Sequence, residues 1–165
     1  MKRVFFLLFS FFSLSALSLP RPLENFEPGQ FLGGGDYQKN DGTSGKFHSY
    51  MNIGSDYIHM DHVFGDYTMS YLFGYNMDQY GFFNIQMTRT QAGADDMTYD
   101  GIGYCIDDYC HYHVEFPLGF VEETVNFEAN KITTVGSVHL KYVEEEVTIW
   151  KENLLRMIRR DAANS

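Results

Sequence analysis

The sequence is short of the residues and runs that mark several large classes of protein. Prolines number only four against 12 Tyr and 15 Phe, so a disordered or collagen-like polymer is excluded. Basic residues are scarce, 12 against 22 acidic for a net charge of −10, whereas a general binder of the phosphate backbone needs the opposite balance. No apolar run of the roughly 20 residues needed to span a bilayer occurs beyond residue 18. Catalytic signatures are missing as well: no Gly-x-Ser-x-Gly elbow, phosphate-binding loop, His-Glu-x-x-His helix or calcium-binding loop is present. No catalytic residue, metal or cofactor is therefore assigned, and neither nucleic acid nor a membrane span is expected.

What the chain does have begins with a leader. Met1-Lys2-Arg3 is a basic start, Val4 to Leu14 is almost unbroken apolar sequence, and Ala16-Leu17-Ser18 supplies small residues for a signal peptidase. The expectation is a signal peptide over 1–18, cleaved after Ser18, and a soluble product that is secreted or periplasmic. Loss of Lys2 and Arg3 takes the net charge from −10 to −12. Residues 19–30 hold Pro20, Pro22 and Pro28 and read as an extended lead-in. Residues 31–165 form one domain, long enough for a single core.

From Phe31 onward the hydrophobic period is near two, broken at short intervals by Gly, Asn and Asp. Tyr67, Met69, Tyr71, Phe73 and Tyr75 share one face of a strand, and Phe83, Ile85 and Met87 share one face of the next. About ten short strands follow one another, the last two placed at Ile132–His139 and Leu140–Ile149, with no helical crossover between them. Such an antiparallel meander closes as a β-barrel to remove its edges. The tail allows two readings. Trp150, Leu154, Met157 and Ile158 have helical spacing and suit a short C-terminal helix, but Val147, Ile149 and Lys151 equally suit an extension of the last strand.

Cys105 and Cys110 flank Ile106-Asp107-Asp108-Tyr109, so a hairpin with that loop sets them opposite each other at disulfide distance. In an exported chain with no odd cysteine, one disulfide is the natural use of the pair. Cys-x4-Cys-His over Cys105–His111 also has the form of a haem-attachment motif, which the acidic loop disfavours. His111 and His113 share one strand face, as do His59 and Asp61, but nothing shows that these strands meet to complete a metal site. In the hairpin register Tyr104 opposes His111 and Ile102 opposes His113. Among the carboxylates, Asp95-Asp96, Glu122-Glu123 and Glu144-Glu145-Glu146 read as solvated faces. Gly33-Gly34-Gly35 lacks the Lys-Ser/Thr of a phosphate loop and reads as a strand that bends sharply.

Phe31-Leu32-Gly33-Gly34-Gly35-Asp36-Tyr37 resembles the Leu-x-Gly-x-Trp-x-Gly opening of lipocalin-like (calycin-type) barrels, with Gly35 where the family has its tryptophan. Val147-Thr148-Ile149-Trp150-Lys151-Glu152 resembles the last strand of such barrels. The resemblance implies a lipocalin-like barrel that holds a small apolar ligand inside. Independently, a barrel of this size leaves room for side chains and one small ligand. Tyr71, Phe73 and Phe83 are the candidate wall residues. The expected function is non-catalytic binding of a small apolar or amphipathic molecule. The alternatives are an envelope-associated structural or interaction protein with a packed barrel, and a His-based metal or haem protein.

Overall fold

The structure, a computed structural model, describes residues 27–141 and 147–157. The leader at 1–18, most of the lead-in and Glu144 to Glu146 lie outside the described residues. Ten strands follow in order: β1 (Gly29–Lys39), β2 (Ser44–Ile53), β3 (Ile58–Phe64), β4 (Tyr67–Phe73), β5 (Phe82–Gln91), β6 (Met97–Ile106), β7 (Tyr109–Phe116), β8 (Gly119–Glu128), β9 (Lys131–Leu140) and β10 (Val147–Arg156). Each pairs antiparallel with its sequence neighbours, and β1 pairs with β10 to close the barrel. The expected all-β antiparallel barrel is the fold observed.

Alternation builds the interior. Inward positions of β4 and β5 carry Met69, Tyr71, Phe73, Phe83, Ile85 and Met87, all buried, while Leu72, Phe82, Asn84 and Gln86 face out. At the closing seam Gly33, Gly34 and Gly35 of β1 lie pressed between β2 and β10. A Cβ on Gly33 would run into the Asn153 carbonyl, on Gly34 into the Phe47 carbonyl, and on Gly35 into the Lys151 carbonyl. Only glycine lets the backbones approach so closely.

At the C-terminal end the bounds of the last strand change, and of the two readings of the tail the strand is the one observed. The last strand is not Leu140–Ile149: β9 continues to Leu140 and β10 begins at Val147. No helix starts at Trp150. Trp150, Glu152 and Leu154 are consecutive inward positions of a strand and all are buried, so Trp150 and Leu154 share a face by period two. Ile158 and the arginines after it lie outside the described residues.

The β6–β7 hairpin is tighter than the expected four-residue loop. Ile106 pairs with Tyr109, leaving Asp107-Asp108 as the turn, with Asp107 at φ 53°. Aspartate tolerates that left-handed conformation better than most residues. Cys105 and Cys110 then stand directly opposite, Cα atoms 4.0 Å apart, at disulfide-bonding distance. Because the closed loop is so short, the Cys105→Ala/Cys110→Ala variant loses only about 2 kcal/mol of stability by the chain-entropy relation. Guanidinium unfolding of variant and oxidised parent checks this, with the barrel's far-UV spectrum retained; collapse of the fold on losing the bond would contradict it.

Candidate functional site

The interior divides into three levels. At the end opposite the β3–β4 and β7–β8 turns, Phe31, Met51, Met60, Phe127, Ile132 and Leu154 are buried inside the barrel. At the end carrying those turns the barrel opens into a cavity of about 820 Å³. That is the size of a pocket for a small organic ligand. Its floor is Phe64, Met69, Val121 and Trp150, and Tyr37, Tyr67, Met87, Tyr99, Phe116 and Val138 contribute to its walls.

Charge at the cavity departs from that of the chain. Among the described residues Lys39, Lys46 and Arg89 border it with Asp66 as the one acid, Lys46 itself lying 3.8 Å from Asp36, whereas the whole chain carries −10. Arg89 lies on the inward-facing row of β5, its guanidinium 5.2 Å from the centre of the Tyr67 ring. Its Nη2 donates to Gln91 Oε1 at 2.8 Å, and Gln91 Nε2 donates to Asp66 Oδ2 at 3.2 Å. Arg89 Nε is buried with no hydrogen-bond partner. The border thus carries a fixed cation beside apolar walls.

Directly beneath the floor lies a polar layer. Two residues beyond Phe64, Val121 and Trp150, on the same strand faces, are His62, Glu123 and Glu152, all with 0–1% exposure. His62 Nε2 is 3.1 Å from Glu152 Oε1 and 3.7 Å from Glu123 Oε1. Thr134 donates to Glu152 Oε1 at 2.9 Å, Ser49 donates to Glu152 Oε2, and Tyr112 donates to Glu123 Oε2. The imidazole is walled by the rings of Phe47, Tyr71 and Trp150, with centroids 5.4, 5.3 and 6.0 Å away.

Burial and mutual charge set the protonation of this layer. For His62, burial disfavours the imidazolium, but the Glu123 and Glu152 carboxylates outweigh it and its pKa rises above the ordinary histidine value. For Glu123, burial raises the carboxyl pKa, with the negative charge of Glu152 adding to it against the pull of His62. For Glu152, burial acts in the same direction, but His62, Ser49 and Thr134 overcome it and hold the pKa below the usual range. Glu152 is the anion facing His62, and Glu123 is the more readily protonated of the two acids. Burial also pushes the Tyr71 and Tyr112 phenols well above their ordinary pKa, so both stay neutral donors.

Sequence reasoning and geometry select different residues here. Tyr71, Phe73 and Phe83 do point inward, with 0%, 0% and 4% exposure, but none borders the cavity. Tyr71 packs on the polar layer, and Phe73 stacks on Phe83 at 5.3 Å. His111 and His113 face outward with Tyr104 and Ile102 opposite them, as the hairpin register requires. His111 Nδ1 lies 3.3 Å from Thr124 Oγ1 and His113 Nδ1 lies 3.1 Å from Glu122 Oε1, on the barrel's outer side. His59 and Asp61 pair outside too, at 3.3 Å, while His62 points in.

Of the acids read as solvated, Glu122 is half exposed but Glu123 is fully buried, because adjacent strand residues face opposite ways. The overlooked cue was interruption of an apolar period-two face: Met60-x-His62-x-Phe64, Val121-x-Glu123-x-Val125 and Trp150-x-Glu152-x-Leu154 each place one polar group in an inward row.

No protein-family model, curated protein or solved structure matches the chain. The two segments that carry the calycin resemblance fall in β1 and β10, the strands that pair to close the barrel.

Proposed function

We propose that this barrel is an exported, non-catalytic carrier that takes one small amphipathic molecule into its open end, apolar part down and an anionic head at the mouth. The carrying observation is the cavity of about 820 Å³, walled by aromatic and methionine side chains, with Arg89 and Lys46 on its border and Asp66 the one acid among the described residues that line it. An apolar pocket with a few convergent polar groups is the usual form of a small-molecule site. Export is supported by the leader pattern over 1–18 and by the facing cysteines, whose oxidation suits a compartment outside the cytoplasm.

Calorimetric titration with decanoate, decanol and decylammonium tests the reading. One decanoate binds per chain, more tightly than decanol, with decylammonium weakest. Arg89→Gln weakens decanoate about tenfold by removing a charge-assisted contact and leaves decanol unchanged. Failure of all three to bind below the concentrations at which they aggregate, or a preference for decylammonium, would sink the proposal.

A second reading, a barrel that docks on a protein partner, draws on the outer face of β5 and β6, where Phe82, Ile102 and Ile106 are 58%, 68% and 60% exposed. The open end favours the ligand.

A further inference from the structure

The polar layer beneath the cavity holds two buried atoms without a hydrogen-bond partner, His62 Nδ1 and Glu123 Oε1, and the second of them faces the other donors of the layer. Glu123 Oε1 is fully buried without a hydrogen-bond partner, although the other oxygen of the same carboxylate accepts from Tyr112. It faces His62 Nε2 at 3.7 Å, and Glu152 Oε1 faces the same nitrogen at 3.1 Å. One donor atom from each of the three side chains lies within 4.8 Å of the other two. We propose that His62, Glu123 and Glu152 form a binding site for a divalent transition-metal ion of the zinc kind.

Three features of the arrangement support this. The first is spacing. Zinc bonds imidazole nitrogen and carboxylate oxygen at about 2.0–2.2 Å, which sets tetrahedral donors roughly 3.3–3.6 Å apart, and the observed 3.1 and 3.7 Å bracket that separation closely. The second is charge. Two carboxylates and one imidazole closed off from water are costly in most ionisation states, whereas a divalent ion, two carboxylates and a neutral imidazole sum to zero.

The third is the outer ring of partners. Ser49 and Thr134 aim the Glu152 carboxylate, Tyr112 aims that of Glu123, and the Phe47, Tyr71 and Trp150 rings fix the imidazole plane. Hydrogen bonds of this kind orient metal ligands, and here they act on the two carboxylates, since His62 Nδ1 has no hydrogen-bond partner. An imidazole in the set favours first-row transition ions over calcium or magnesium, which prefer all-oxygen cages.

The ligands come from β3, β8 and β10, so the site is assembled only when the barrel is closed, and ion binding is linked to folding. Its ceiling, Val121 and Trp150, is the cavity floor, which separates the site from the open end. Three protein ligands leave a fourth position for water or another oxygen. This site is independent of the amphipathic ligand above it, and either can exist without the other.

The test uses the full oxidised chain, stripped with a chelator and titrated with Zn²⁺ by calorimetry and native mass spectrometry. The expected result is one ion per chain, a raised thermal midpoint, and affinity at least a hundredfold weaker in Glu123→Gln. His113→Ala, which removes the outward histidine beside Glu115 and Glu122, leaves the stoichiometry and affinity unchanged. Cobalt replacement gives a check that needs no variant, since Co²⁺ in a closed mixed nitrogen and oxygen site develops visible absorption. Absence of stoichiometric zinc on the folded parent, absence of a Co²⁺ spectrum, or binding that survives Glu123→Gln but is lost in His113→Ala would overturn the proposal.

Discussion

Replacing Glu152 with alanine lowers the unfolding free energy by about 3–5 kcal/mol, the cost of breaking a buried ion pair from one side. Glu152 is fully buried and accepts from Ser49, Thr134 and His62. Its loss leaves two hydroxyls and an imidazolium without their acceptor in a layer that solvent does not reach, and each stranded donor adds a penalty. Glu152→Gln keeps an acceptor oxygen and the side-chain volume, so it falls between parent and alanine. The measurement is urea unfolding of chelator-treated protein. A double-mutant cycle with His62→Phe shows a favourable coupling of about 1 kcal/mol or more. A loss under about 1 kcal/mol for Glu152→Ala would mean that water already enters this layer.

Trp150→Ala costs a similar amount, about 3–5 kcal/mol, for a different reason. Its indole is 1% exposed, forms part of the cavity floor and lies flush over Gly136 of β9, where any Cβ would collide with the ring. Gly136 makes the space and Trp150 fills it. The ring also lies 6.5 Å from Phe64 and 6.0 Å from His62, separating the cavity from the polar layer. Truncation joins the two spaces and admits water to His62 and Glu152, so the loss combines a cavity with exposure of a charged pair. Far-UV circular dichroism follows the unfolding, because the variant has no tryptophan left to report. Trp150→Phe retains most of the packing and loses less than about half as much. Stability of Trp150→Ala within about 1 kcal/mol of the parent would contradict the role of the indole as the floor.

The barrel was legible because its signals are local. Period two in Tyr67–Phe73 and Phe83–Met87, the turn residues between strands, and the Cys105–Cys110 spacing each need only a short window of sequence. The last strand resisted for an equally local reason. With Glu152 on the inward row, the apolar residues that remain visible, Trp150 and Leu154, are four apart and mimic a helix. The polar layer resisted for a non-local one: His62 and Glu152 are 90 residues apart, Ser49 and Glu152 are 103 apart, and no sequence window holds both members. A carboxylate in an inward row reads as an error in the alternation until its partners across the barrel are known. The cavity was half legible. The period-two aromatic rows leave core filling and cavity lining open, and Tyr71, Phe73 and Phe83 are buried but are not among the residues that line this cavity. Which end stays open depends on side-chain volumes summed around ten strands.

Trp150 is the only tryptophan in the chain and lies in the cavity floor, so the protein carries its own reporter of occupancy. The most direct test of the carrier reading is a titration of the wild-type protein with decanoate while following Trp150 emission, with native mass spectrometry counting bound molecules at the same points. The proposal requires a saturable change in emission that tracks the appearance of a complex with one decanoate per chain. Emission that stays constant while the protein remains free of decanoate would contradict it.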